Sequence, residues 1–405
     1  MLSVDEQLKV ITSGTMQIVP LDELKKKLEK GTSLTIKLGV DPTSPDLHLG
    51  HAVPLRKMRQ FQDLGHNVTL IIGNGTALIG DPSGRDSTRP PLTEEQVEEN
   101  AKTYVAQAMK VLDPEKTTIV HNGEWLKPMQ LSDMLSLMSK FNVARILERE
   151  DFHNRYVNGM SISLHEFIYP VLQAYDSVVI NADVEMGGND QIFNLLAGRD
   201  LMRAQGMEPQ VALTMPLLVG LDGTKKMSKS YKNYVGLTDP ADDMYGKLMS
   251  IADELIPMYF RLCSTLPVDE VEKIDAQFAD GTADPYVLKR MLARNICDLY
   301  HGEGAGQAAE AAFDATFKRN EVPEDIAEFA LDIVEVNDEG MVYLAKLMVD
   351  VQIAKSAGEA RRLIDGGGVK VNGEAIAPKC YNVDPELFSA GTTIQSGKRR
   401  WARLV

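Results

Sequence analysis

The chain has 405 residues, 44% of them hydrophobic and 25% charged, with a formal net charge of −15. That length exceeds what one hydrophobic core organises, and no apolar run approaches the ~20 residues of a membrane helix, so several globular domains and no membrane span are expected. The opening Met1-Leu2-Ser3-Val4-Asp5-Glu6 has neither the basic start nor the apolar stretch of a secretory leader. Cys263, Cys297 and Cys380 are scattered, with no neighbouring ligand at metal spacing, and read as free thiols in a reducing cytoplasm.

The first elements are a strand at 34–40, a helix at 49–64 and a short β-branched run at 68–73, together a βαβ unit. Thr93 with Gln96 forms a capping box, and Val97, Ala101, Tyr104, Ala108 and Val111 continue it at helical spacing. A strand at 117–120 follows, then helices at about 163–175 and 190–205 alternating with strand candidates at 177–180 and 210–219. This alternation predicts an α/β fold in which residues 1–238 form a doubly wound parallel, Rossmann-like sheet. Beyond Pro240 the strand signals fade, and helical stretches at 244–251, 286–299 and 306–317 predict a helical domain over 239–320. The acidic, Pro323-containing stretch 321–340 reads as a linker. Residues 341–405 predict a small α+β domain. Ser356 and Glu359 open a helix that stops at Gly366-Gly367-Gly368, and Asn372-Gly373 marks a type I′ hairpin. From Ile353 onward nine Lys and Arg face five acids, a charge of +4 that leaves −19 for the rest. An acidic body with a basic end suits a protein that holds a polyanion at one end and handles small molecules at the other.

Two motifs carry chemistry. Asp41-Pro42-Thr43-Ser44-Pro45-Asp46-Leu47-His48-Leu49-Gly50-His51 lies between the first strand and the first helix, where an open parallel sheet binds ligands and a helix N-terminus offers unpaired N–H groups. Gly50 permits close approach to the backbone, and His48 and His51 present donors from one face, suited to a triphosphate. The same two histidines could bind a metal or cap the helix. Lys225-Lys226-Met227-Ser228-Lys229-Ser230, beyond the last predicted strand, is a mobile, basic loop by composition, able to neutralise a departing pyrophosphate or simply to be a solvated turn. In this order and on these elements, His48-Leu49-Gly50-His51 and Lys226-Met227-Ser228-Lys229-Ser230 resemble the two signatures of class I aminoacyl-tRNA synthetases. No Walker or dinucleotide fingerprint competes with them.

Further runs resemble the tyrosyl members of that class: Gly80-Asp81-Pro82-Ser83-Gly84, Tyr169 with Gln173 and Asp176, and Gly187-Gly188-Asn189-Asp190-Gln191. By spacing alone Tyr169, Gln173 and Asp176 share one helix face and can converge on a pocket. The bland alternatives are Tyr169 as core, Asp176 as a helix-end residue and the glycine pair as a turn. The resemblance, which runs over most of the chain, implies that Asp81, Tyr169 and Gln173 bind the α-amino group of tyrosine and Asp176 its phenolic hydroxyl. It also implies that Gln191 faces the carboxylate, that Gly39 and Asp41 line the pocket, that Gly188 and Asp190 hold the ribose, and that the stretch around Leu218 borders the adenine. His48, His51, Lys226 and Lys229 would act on the phosphates, with Gly50 beside them. Where many tyrosyl enzymes place a tyrosine as a second phenol contact, this chain has Lys37. Arg85 and Arg89 fall where the family carries basic residues near the triphosphate and the tRNA end.

The C-terminal helix and hairpin resemble the small RNA-binding domain of bacterial tyrosyl enzymes. On that likeness Arg361, Arg362, Lys370, Lys398, Arg399 and Arg400 would meet phosphates, and Trp401 would either stack on a base or anchor the core. The resemblance implies a tyrosine–tRNA ligase that takes L-tyrosine, ATP with Mg2+ and tRNA(Tyr). It implies a cytoplasmic homodimer with no permanently bound cofactor, no structural metal, no membrane and no DNA. The competing readings are a tryptophanyl enzyme, a non-catalytic RNA-binding relative and a nucleotidyltransferase acting without tRNA.

Overall fold

The computed structural model describes residues 2–80, 93–317, 326–397 and 400–405. Strands β1 (Gln17–Val19), β2 (Thr35–Val40), β3 (Asn67–Ile72), β4 (Thr117–His121), β5 (Val184–Gly188) and β6 (Val211–Met215) form one sheet in the order β1-β6-β5-β2-β3-β4. From β6 to β4 all neighbours are parallel, while the edge strand β1 runs antiparallel to β6. Ile36, Leu38, Val68, Leu70, Ile71, Val184, Met186, Val211 and Leu213 are buried, as strands covered on both faces require. The chain winds from β2 to β3 and β4 on one side, then crosses back to lay β5 and β6 on the other. This opens a crevice between the carboxyl ends of β2 and β5, the topological switch point at which such sheets bind ligands.

The capping box of Thr93 and Gln96 forms at the head of the Glu94–Ala108 helix, and the first long helix spans Leu49–Asp63. The expected strand at 177–180 is instead the last turn of the Leu164–Ile180 helix, which stops at Asn181 in the left-handed conformation. Val178 continues an apolar face that packs with Leu137, Val171 and Leu201, while Val179 is exposed, so tertiary contact overrides strand propensity. The strand of this region is β5, four residues further on. The strand expected at 210–219 closes at Met215, before Pro216.

Helices Ala241–Met249, Ile256–Cys263, Val268–Asp280, Pro285–His301 and Ala305–Phe317 occupy the stretch expected to be helical. The first four do not form a separate body: they lie within one compact unit, Met1–Ala309, in which Ile256–Cys263 packs on Leu49–Asp63.

The second unit, Glu310–Val405, holds β7 (Ala327–Phe329), β8 (Val342–Tyr343), β9 (Val369–Val371), β10 (Glu374–Ala375), β11 (Asn382–Val383), β12 (Thr393–Ser396) and β13 (Arg400–Leu404). Its main sheet has the order β10-β9-β12-β13-β7. Within the stretch read as a linker, residues 327–329 are therefore a strand, paired in parallel with β13 through Glu328 and Arg403, and Phe329 packs on the core. Acidic composition hid this strand because its outward residues are the charged ones. Asn372 and Gly373 take φ of 51° and 83°, the type I′ turn of the β9–β10 hairpin. Ser356 caps the Ala357–Asp365 helix by accepting from the Glu359 N–H, whereas the Glu359 carboxylate accepts from the Lys355 N–H and from Arg400. Among the described residues no helix is long and apolar enough to cross a membrane.

Candidate active site

The crevice is a cavity of about 350 Å3 walled by the ends of β2 and β5, the first turn of the Leu49–Asp63 helix, the Leu164–Ile180 helix and Met215–Leu217. At one end lies the helix N-terminus. His48 holds the N-cap position, and His51 Nδ1 accepts from the His48 N–H at 3.3 Å. Their rings are 3.8 Å apart, and His48 Nδ1 is buried without a hydrogen-bond partner. A Cβ on Gly50 would meet the His48 ring at 3.0 Å, so glycine keeps this turn tight. Burial first, then the charges of His51 and Lys229, bring the His48 pKa down to about 3. The walls of the cleft and the charge of Lys229 bring that of His51 down to about 4, although its side chain is solvent-exposed at the cavity. Both rings are therefore neutral near pH 7 and donate as uncharged imidazoles.

The basic loop faces this turn. Lys229 Nζ donates to Ser44 Oγ at 2.7 Å and lies 3.3 Å from Asp46 Oδ2. Its composition suggests mobility, yet it is pinned by Met227, which is buried and donates its N–H to the Leu218 carbonyl, and by Asn233, which accepts from the Ser228 N–H. Lys226 pairs across the hairpin with Val219 and is exposed.

At the other end, the Leu164–Ile180 helix brings Tyr169, Gln173 and Asp176 to the cavity wall together, as their spacing suggested. Tyr169 Oη donates to Asp41 Oδ2 at 3.0 Å and Thr76 Oγ1 donates to Asp41 Oδ1 at 2.7 Å. A Cβ on Gly73 would lie 2.0 Å from that carboxylate, so only glycine fits there. Asp176 is buried and accepts from Trp125 Nε1 at 2.8 Å and Asn122 Nδ2 at 3.2 Å. Burial raises its pKa to about 6, against the opposing pull of Lys37, Trp125 and Asn122. Lys37 does not line the cavity. Its ammonium lies 3.0 Å from Glu185 Oε1 in a fully buried pair.

Gly39, Asp41, Gly50, His51, Tyr169, Gln173, Asp176, Gly188 and Gln191 thus line one cavity. Asp190 stands in the turn after β5, close enough that a Cβ on Gly188 would meet its carboxylate at 2.5 Å. Leu218 is itself buried, and the lining comes from Met215, Pro216 and Leu217 just before it. Asp81, Arg85, Arg89, Lys398 and Arg399 lie outside the described residues. Thr76, Asn122, Trp125, Ser44, Asp46 and Glu185 were not singled out by sequence. Asn122 and Trp125 directly follow the carboxyl end of β4, the position that had marked the first motif.

In the second unit Arg361 and Arg362 are exposed on their helix, and Lys370 is half-buried in β9. Arg400 is engaged internally, donating to the Ile353 carbonyl at 3.0 Å and to Glu359 at 2.8 Å. Trp401 is half-buried opposite Gln395.

The profile of the family described as tRNA synthetases class I (W and Y) matches residues 29–318, and that of the S4 domain matches residues 344–386. The chain therefore belongs to the class I tRNA synthetases of the tryptophan and tyrosine branch. It is 50% identical over 409 residues to the tyrosine–tRNA ligase of Geobacter metallireducens, across the whole of both chains. It is 47% identical to that of Desulfotalea psychrophila, across all of this chain and 99% of the other. Within the branch it falls with these bacterial tyrosine–tRNA ligases. Its fold matches a C-terminally truncated mitochondrial tyrosyl-tRNA synthetase of Aspergillus nidulans with TM-score 0.64 at 22% identity, over 78% of this chain and 95% of that one. It matches a tyrosyl-tRNA synthetase of Archaeoglobus fulgidus complexed with L-tyrosine with TM-score 0.61 at 21% identity, over 76% and 99%.

Proposed function

We propose that this chain joins tyrosine to tRNA(Tyr) in two steps: the tyrosine carboxylate attacks the α-phosphorus of ATP and expels pyrophosphate, and the terminal hydroxyl of the tRNA then takes the acyl group. The observation that carries the reading is the single cavity that joins the His48–His51 turn to the Asp176 floor, on a chain half identical to tyrosine–tRNA ligases. No side-chain nucleophile is required. Positioning and charge supply the rate. Neutral His48 and His51 donate to phosphate oxygens. Lys229 leaves Asp46 for the phosphates as negative charge develops on pyrophosphate, with Lys226 beside it. Gly50 admits the nucleotide, Gly188 and Asp190 take the ribose, and the segment before Leu218 borders the adenine. ATP enters as its magnesium complex, a substrate.

Asp81, Tyr169 and Gln173 receive the α-ammonium, Gly39 and Asp41 shape the pocket, Gln191 faces the carboxylate, and Asp176 accepts from the phenol. The match to the S4 domain family and the exposed Arg361 and Arg362 support tRNA binding through the second unit, with Lys370, Lys398, Arg399 and Arg400 as further contacts. A homodimer is supported by an apolar surface across consecutive helices, where Leu131, Leu135, Val143, Tyr156, Val157 and Leu164 are exposed, Leu131 at 74% and Leu164 at 80%. Three cysteines without disulfides accord with work in the cytoplasm.

Pyrophosphate exchange measured with each of the twenty amino acids tests the proposal. Stimulation by tyrosine alone is expected. Stimulation by tryptophan would favour the tryptophanyl reading, and no exchange at all would leave an RNA-binding relative.

A further inference from the structure

Resting on that reading, we infer that Glu185, with Lys37 as its counter-ion, is a positioning residue behind the pocket that fixes which end of the Gln173 amide meets the substrate. Lys37 and Glu185 stand opposite each other on β2 and β5, and both side chains are about 1% exposed. The Glu185 carboxylate is met by four donors: Lys37 Nζ at 3.0 Å, Gln173 Nε2 at 3.1 Å, Ser177 Oγ at 3.1 Å and Gln210 Nε2. A carboxylate only accepts, so the NH2 end of Gln173 must turn toward it. Gln173 also lines the cavity, and the end left to present is its carbonyl oxygen, an acceptor. An ammonium only donates. The buried glutamate thus selects the amide orientation that suits an α-ammonium and disfavours the flipped one, which would aim NH2 at it.

Lys37 has a different task from the phenol contact its position suggested. Its ammonium is held by Glu185 and by the backbone carbonyl of Gln173 at 3.3 Å, and it stays off the cavity surface. A lone carboxylate in this place would be costly, and the lysine and the other three donors offset part of that cost.

The test compares binding of L-tyrosine with binding of 3-(4-hydroxyphenyl)propanoate, which lacks the ammonium, by equilibrium titration of the full chain at pH 8. Wild type, Glu185→Gln and the charge-free pair Lys37→Met/Glu185→Gln are compared. The pair is included because the single variant leaves a buried lysine unmatched and can fail to fold. In each folded variant the preference for tyrosine over the analogue should fall about tenfold or more, the scale of one hydrogen bond to a charged group. The KM for ATP should stay within about twofold, a split that general loosening would not give. Discrimination against phenylalanine in the paired variant should stay within about threefold of wild type. An unchanged preference in the folded paired variant would overturn the inference, and so would loss of phenylalanine discrimination, which would make Lys37 a phenol contact. A wild type without tyrosine-dependent exchange would instead refute the functional reading on which the inference rests.

Discussion

Asp176→Asn should weaken recognition of the phenol while leaving the fold intact. The carboxylate spends one oxygen on Trp125 and the other on Asn122, and retains further lone pairs toward the cavity. Asparagine keeps the shape, accepts through one oxygen only and carries no charge. Losing one charge-assisted hydrogen bond costs about 1.5–3 kcal/mol, so kcat/KM for tyrosine should fall roughly 10- to 150-fold. That for phenylalanine should change far less. Tyrosyl enzymes are themselves the usual illustration of a site that rejects the analogue lacking its hydroxyl. Titration gives a second handle. The folded pKa of Asp176, about 6, lies above its unfolded value, so the fold favours the neutral acid. The stability this group contributes is fully present below about pH 4 and is lost as pH rises through about 6. Function runs the other way, because the accepting form is the carboxylate: kcat/KM for tyrosine should drop about tenfold per pH unit below 6. His48 and His51, near 3 and 4, place no transition on top of it. The assay is pyrophosphate exchange from pH 5 to 8, wild type against variant, with both amino acids. A variant that excludes phenylalanine as strongly as wild type, or that keeps the acid limb near 6, refutes the assignment.

Lys229→Ala should slow adenylate formation by roughly 100-fold or more with little change in tyrosine binding, since its charge matters as pyrophosphate develops; single-turnover kinetics beside equilibrium titration would separate the two. A chain ending at Phe317, which leaves β7 with the sheet it pairs in, should make tyrosyl-adenylate and charge tRNA very poorly. Paired exchange and aminoacylation assays with circular dichroism check this, and full charging by the folded truncation would count against the second unit as the tRNA anchor. Leu131→Glu with Leu164→Glu should shift sedimentation to the monomer without unfolding, because both side chains are largely exposed in the single chain; an unchanged sedimentation coefficient would place the dimer contact elsewhere.

The elements most legible in the sequence were those whose signal is local. The Thr93 capping box, the Asn372-Gly373 turn and the β-branched run of β3 each needed only a few neighbouring residues to specify them. The strand expected at 177–180 failed because the run Val178, Val179 and Ile180 has strand propensity, while only Val178 belongs to the apolar face by which the helix packs, and the packing partners decide. β7 failed for the opposite reason: three residues amid acidic ones carry no periodicity, and their pairing partner β13 lies more than seventy residues away. In the site, the residues on one helix, Tyr169, Gln173 and Asp176, could be read as a set from spacing. Asn122, Trp125 and Glu185 could not, because they come from the segment after β4 and from β5, outside the helix whose side chains they meet.

The two signatures form one electrostatic device, although Lys229 and Ser44 are 185 residues apart in sequence. Ser44 and Asp46 belong to the loop that leads into His48 and His51, so the groups that hold Lys229 belong to the same turn that is proposed to receive the phosphates. The Lys229–Asp46 pair is partly exposed, with side-chain exposures of 31% and 62%. Such a pair is worth ~1 kcal/mol at most. A triphosphate brings more charge than one carboxylate to the same ammonium, and it lies against a helix N-terminus whose N–H groups also favour anions. In the proposed mechanism the lysine can therefore transfer to the phosphates at little cost, with Asp46 holding it close to the turn. The neutral imidazoles fit the same scheme: uncharged donors add hydrogen bonds without repelling Lys229, so the cation can be held close to them.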